Sequence, residues 1–209
     1  MTQRGRPRAF DDEQALDRAM EVFWRHGYEG ASLAELTAAM GINKPSLYAA
    51  YGNKEELFRK AVGRYAETEM AYARDALDQP TAYEVVTAFL RANVAALTRL
   101  DRPAGCLSIQ GGTACGTDNT NVAEFLAASR LAGERQLADR FVRAVEEGDL
   151  PEGSDPEALA RFVMVVSEGH AIHAAAGVSR AQLEQSAEIA LHAFTAAARI
   201  ERPRPTPAG

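Results

Sequence analysis

Three times along this chain a short polar residue heads an apolar helical repeat with a glutamate three places behind it: Ser32 with Glu35, Asn53 with Glu56, and Thr81 with Glu84. Such a pair closes reciprocally on the free N–H groups of a helix's first turn, so each marks a helix start. Asp155 before Pro156, and Ser179 before Arg180, mark two more. Between these heads the apolar residues recur at three and four places, as on one helical face. The pattern predicts a helix through Ala15 to Phe23, capped by Asp11 or Asp12 and stopped by Gly27. Short helices follow to Met40 and from Lys44 to Tyr51, and one long helix from Asn53 to just before Pro80. A helix opened by Thr81 comes next, then a glycine-broken segment holding one apolar piece, Cys106 to Ile109. Helices over 121–147, 156–176 and 180–199 complete the series. No stretch joins β-branched alternation to hairpin turns. The expected fold is all-α with about nine helices, a small N-terminal group followed by a larger bundle.

Composition narrows the classes. With 209 residues, 46% of them hydrophobic and 25% charged, the chain can bury a core without disulfides. Its two cysteines, Cys106 and Cys115, are too few for a disulfide framework, which suits a reducing, cytoplasmic setting. No apolar run is long enough to span a bilayer, so no membrane partner is expected. The basic start, Gln3 to Arg8, is not followed by the apolar segment of a secretory leader. The net charge of −6 argues against a nucleic-acid partner for the chain as a whole. The first 65 residues, however, are net basic and the remainder acidic. The expected organisation is a basic flexible arm (1–9), a DNA-binding unit (10–58), a ligand-binding and dimerisation unit (59–200) and a disordered tail (201–209), which has three prolines among its last seven residues.

A short helix, a glycine turn at Gly41-Ile42-Asn43 and a second short helix make a helix-turn-helix. A bracing helix precedes it and a long one follows. In the stretch from Ala15 to Phe58, and most specifically in GINKPSLYAAYGNKEELF, the sequence resembles the TetR family of bacterial transcriptional regulators. The resemblance implies a DNA-binding regulator, not an enzyme. The helix from Lys44 would enter the major groove, with Lys44 donating to guanine and Pro45 meeting a thymine methyl. Ser46 and Tyr48 would offer hydroxyls to phosphate. Lys54, beside the free N–H groups of the next helix, would hold another phosphate, and Ser32 and Leu33 also lie where the family touches DNA. In Arg4-Gly5-Arg6-Pro7, Arg4 and Arg6 have the pattern of a minor-groove arm; the plainer alternative is a solubilising tail. Leu36, Ile42, Leu47, Leu57, Phe58 and Tyr51 read as core.

The family's C-terminal helices form a ligand pocket and a dimer. Helices 156–176 and 180–199, rich in alanine and apolar on more than one side, suit a four-helix homodimer interface on a two-fold double-stranded DNA operator. The pocket candidates are Tyr65, Tyr72, Phe89, Asn93, Cys106, Ile109, Phe125, Ser129 and His170, a mostly apolar set for a small hydrophobic effector. Each of these residues could equally be plain core. Binding is expected to shift the short 106–109 helix and the helix from Asn53, and so release DNA. Cys106 carries an alternative, an electrophile- or oxidant-sensing thiol at a helix N-terminus with Cys115 nearby, against the plain reading of a buried, inert cysteine. His170 and His173 lie three apart but lack a third ligand, so no metal and no cofactor is expected. Rival classes fare worse. A di-iron bundle needs paired Glu-x-x-His motifs, which this chain lacks, and no Walker loop or nucleophile elbow appears. A helical module that binds protein rather than DNA remains as an alternative, disfavoured by Lys44 and Lys54.

Overall fold

In a computed structural model, residues 9–111 and 119–200 are described, with side chains from residue 12 onward. Arg4, Arg6, Cys115 and the expected tail lie outside the described residues. Those described form ten helices and no strand. The N-terminal group is α1 (Ala9–Gly30), α2 (Leu33–Met40) and α3 (Lys44–Tyr51), against which α4 (Lys54–Thr68) packs. The larger part holds α5 (Ala71–Leu77), α6 (Ala82–Leu97), the short α7 (Leu107–Gln110), α8 (Thr120–Glu146), α9 (Pro156–Ala175) and α10 (Arg180–Ala198).

The predicted heads are in place. Ser32, Asn53 and Thr81 each accept from the backbone N–H three residues on, and the matching glutamate closes back on the cap. Ser179 makes the same reciprocal box with Gln182, and Asp155 accepts from Ala158 N–H. Two glycines do what other residues could not. Gly27 takes φ 69°, which ends the straight run of α1 and leaves one last turn to Gly30. Gly52, at φ 77°, lies where a Cβ would collide with the Glu56 carboxylate that closes the α4 cap.

Three expectations need correction. The helix has already begun at Ala9, so Asp12 lies inside α1 and caps nothing. Instead, its carbonyl accepts from the Tyr51 hydroxyl at 3.0 Å. The single helix expected from Asn53 to Pro80 is two. After Thr68 the Tyr65 carbonyl accepts from both Glu69 and Met70 N–H, at 2.9 and 3.1 Å, and Met70 leaves the helical region. The Glu69 carboxylate is pulled between Arg99 and Arg102, 3.0 Å from each, and Arg102 reaches on to Glu21 of α1 at 2.7 Å. The helix breaks where this ion cluster fixes its end. That division raises the count from about nine helices to ten among the described residues.

The core is continuous. Phe58 stands edge-on to both Phe23 and Tyr28, at centroid distances of 5.0 and 5.2 Å, while Phe23 and Tyr28 stack nearly parallel. Trp24 of α1 stands edge-on to Tyr65 of α4 at 4.8 Å. Leu36, Leu47, Leu57 and Phe58 are fully buried, Tyr51 is buried and Ile42 is partly buried. In the larger part Val86, Phe89, Leu90, Val94 and Leu97 of α6 face inward. Buried Arg140 of α8 holds the turn after α5 by donating to the carbonyls of Leu77, Gln79 and Pro80 at 3.1, 2.7 and 2.9 Å.

Candidate functional site

Two features stand apart from the structural packing. The first is the outer face of α3. Asn43 caps this helix by accepting from Ser46 N–H at 2.9 Å, and Pro45 sits in its first turn. Leu47 and Tyr51 point into the core. That leaves Lys44, Pro45, Ser46 and Tyr48 exposed on one side, with Tyr48 48% exposed. Ala49 and Ala50 are exposed too and too small to obstruct an approaching surface. An exposed large aromatic beside a lysine at a helix N-terminus is the form of a helix presented to a groove. Ser32, at the head of α2, is exposed, though its hydroxyl already donates to Glu35 Oε2 at 2.8 Å; Leu33 is half-buried. Lys54 is also half-buried. Its ammonium rests 4.6 Å above the Tyr28 ring, and burial pulls its pKa below the usual lysine value while nearby Glu29 opposes.

The second feature is a cavity of about 540 Å³ enclosed by α4, α5, α6, α7, α8 and α9. Tyr65, Tyr72, Phe89, Asn93, Cys106, Ile109, Phe125 and Ser129 line it. His170, the ninth pocket candidate, does not. Its Nε2 turns to Ser186 of α10 at 3.1 Å, and burial with neighbouring His173 lowers its pKa. Several lining residues escaped the sequence reading: Met70, Arg59, Arg130, Met164, Ser167 and Glu168. Met70 lines it because the chain breaks there. Arg130 follows Ser129 directly and interrupts an otherwise small or apolar stretch, which was a legible signal. It donates to the Ser108 carbonyl at 3.1 Å and stands 3.8 Å from Glu168, whose pKa is raised by burial against the pull of Arg130.

A second set of polar groups lies on the side of α4 to α7. Cys106 Sγ lies 3.0 Å from Ser108 Oγ and is buried. Burial, then the nearby Cys106, pushes the Tyr65 hydroxyl well above an ordinary phenol. Tyr72 is likewise pushed well up by burial, which its hydrogen bond from Asn93 partly offsets. At neutral pH both phenols keep their protons. Among the described residues no group of His, Cys, Asp or Glu could hold a metal. No described helix is long and apolar enough to cross a membrane.

The cavity and the exposed α3 share supports. Gly111, at the end of α7, accepts from Tyr28 N–H at 3.2 Å. A Cβ at Gly111 would come within 3.2 Å of the Phe58 ring. At the start of α8, Asn119 donates to Glu29 at 2.6 Å, Asn121 pairs with Glu55, and the Arg59 guanidinium lies 4.5 Å over the Phe125 ring. Elements that wall the cavity therefore rest on the N-terminal group.

Comparison with known proteins agrees with this arrangement. Residues 15–61 match the model of bacterial regulatory proteins of the tetR family. The chain is 36% identical over 186 residues to the HTH-type transcriptional repressor ComR of Escherichia coli (strain K12), covering 88% of this chain and 89% of that one. Among solved structures it is 44% identical, with a TM-score of 0.86, to a cysteine mutant of the TetR family transcriptional regulator CifR complexed with 26bp double-strand operator DNA. That likeness covers 90% of this chain and 99% of the other. A putative TetR transcriptional regulator from Rhodococcus sp. RHA1 is 42% identical over 86% of this chain and 97% of its own, with a TM-score of 0.59. An exposed recognition helix, a supporting bundle and a relative at this identity across most of both chains lead to one conclusion: this chain belongs to the TetR family and is a DNA-binding transcriptional regulator, not an enzyme.

Proposed function

We propose that the protein is a cytoplasmic repressor released from a two-fold operator when a small, mostly apolar effector enters the cavity. The observation that carries this reading is the shared α7. Its residues line the cavity at one end and receive Tyr28 N–H at the other. A ligand that fits only one arrangement of α7 and α8 shifts the balance between DNA-competent and released forms. Lys44 and Pro45 read the groove; Ser46, Tyr48 and Lys54 hold the phosphate backbone, with Ser32 and Leu33 also at the DNA surface; the arm with Arg4 and Arg6 reaches the minor groove. The ComR name supports repression and the CifR complex supports double-stranded operator DNA as partner. The homodimer forms through α9 and α10, where Val165, Ile172 and Ile189 are 62%, 56% and 71% exposed. The test is fluorescence anisotropy with DNA flanking the protein's own gene against scrambled DNA, at two salt concentrations. Sequence-preferring, salt-steep binding that a small apolar compound reverses is the expected result. Binding that no compound alters removes the effector.

The lining position of Cys106 favours a second reading, in which the effector is an electrophile. The thiol's proton leaves to solvent, the thiolate attacks carbon, a C–S bond forms and the leaving group departs with its electron pair. The hydroxyls of Tyr65 and Ser108 lie within hydrogen-bonding reach of Cys106 Sγ. Alkylation by iodoacetamide should then release DNA from the wild type and not from Cys106→Ser. Release that persists in Cys106→Ser, or alkylation of Cys106 without release, removes this reading.

A further inference from the structure

Within the cavity one hydrogen-bonding position is left unfilled. Asn93 of α6 is only 5% exposed, and its Oδ1 has no partner among the described residues. The other end of the carboxamide is engaged, since Nδ2 donates to the Tyr72 hydroxyl oxygen at 3.0 Å. Both residues line the cavity. The short hydroxyls on the same walls are occupied within the fold. Ser129 donates to the Phe125 carbonyl at 2.9 Å, Ser167 to the Met164 carbonyl at 2.9 Å, and Ser108 pairs with Cys106. A buried acceptor without a donor is costly, and a leucine would fill this space without that cost. The unfilled Oδ1 thus marks where a ligand's donor belongs. The Tyr72 hydroxyl, which accepts from Asn93, still has its own proton to donate. Together the two present an acceptor and a donor side by side.

The cavity's charged groups are engaged elsewhere. Arg59 pairs with Glu55 at 2.8 Å, Arg74 donates to the carbonyls of Ala66 and Glu67, and Arg130 spans Ser108 and Glu168. An ionised ligand group at Asn93 would lose its water beside the uncharged Tyr72 and Phe89. We infer that the effector is an uncharged, largely apolar alcohol or phenol, whose O–H donates to Asn93 Oδ1 while its oxygen accepts from the Tyr72 hydroxyl. This rests on the reading of the cavity as the effector site.

The experiment uses the full-length protein and two probes of nearly equal shape. 2-Naphthol carries the O–H; 2-methoxynaphthalene retains the oxygen and lacks the proton. Each is titrated calorimetrically into wild type, Asn93→Leu and Tyr72→Phe, and each is added to the operator complex. The wild type is expected to prefer 2-naphthol by about ten- to hundredfold, because the ether leaves the buried acceptor unmet. Asn93→Leu should erase the preference while retaining affinity for the ether, and Tyr72→Phe should lower affinity for 2-naphthol. Equal affinities in the wild type, or a preference that survives in Asn93→Leu, overturn the inference and leave the effector cavity standing. Should Asn93→Leu fail to fold, the wild-type pair and Tyr72→Phe still decide. If neither compound binds, the cavity reading falls, and this inference with it.

Discussion

Lys44 and Leu47 stand three places apart on α3 and answer to opposite demands. Leu47 is fully buried, so Leu47→Ala should cost about 2–5 kcal/mol of stability, read as a lower midpoint in urea unfolding. Lys44 is exposed. Lys44→Ala should therefore leave the unfolding midpoint in place and weaken operator binding by about 1–3 kcal/mol, with a shallower salt dependence. Anisotropy on the operator separates the two, and an unfolding change in Lys44→Ala would contradict the division. His170 carries a prediction of another kind. Burial holds its folded pKa below the ordinary 6.5, so the unfolded chain takes up its proton first as pH falls. The stability it contributes is whole above pH 6.5 and declines as pH drops below that value. Melting curves across pH 5 to 7.5 should show this decline, and His170→Gln should lessen it.

Among the elements, legibility followed the range of the interaction. Helix starts were readable because a cap and its glutamate lie three residues apart, and the structure closes every such pair. The break between α4 and α5 was not, because its cause is Glu69 meeting Arg99 and Arg102, about thirty residues away, with no glycine or proline to announce it. Eight pocket candidates line one cavity, and for Phe89 and Asn93 the reason was legible in the apolar register of α6, which turns both inward. His170 fails for the converse reason: α9 is apolar on most sides, so its register leaves open whether a residue faces the cavity or α10. The corner between α3 and α4 is the element most exposed to a small change. Gly52→Ala should strain the left-handed backbone, displace Glu56 from its cap, and destabilise by about 1–3 kcal/mol. The melting temperature should fall accordingly. Gly111→Val acts at the other junction. Its Cβ would collide with the Leu107 carbonyl oxygen, 2.6 Å away, before it met the Phe58 ring, so α7 itself must reshape and operator affinity should drop without any effector, by about 1–2 kcal/mol in the anisotropy assay.

At the scale of the whole molecule, the proposed two-fold operator calls for two copies of α3 held at one spacing, and a single chain carries only one. The exposed Val165, Ile172 and Ile189 supply the apolar face that a second copy would cover. Ile172→Glu combined with Ile189→Glu should give a folded monomer in sedimentation velocity, with operator affinity reduced to that of one half-site. A dimer that survives both changes would place the interface elsewhere. The cavity has walls of two kinds. The walls from α5 and α6, with Tyr72, Phe89 and Asn93, stand apart from the N-terminal group, whereas α7 and the first turn of α8 rest directly on it. On the proposed reading, substitution in α5 and α6 would exchange one effector for another while the operator stays fixed, whereas substitution in α7 would change what is sensed and what is bound in the same stroke.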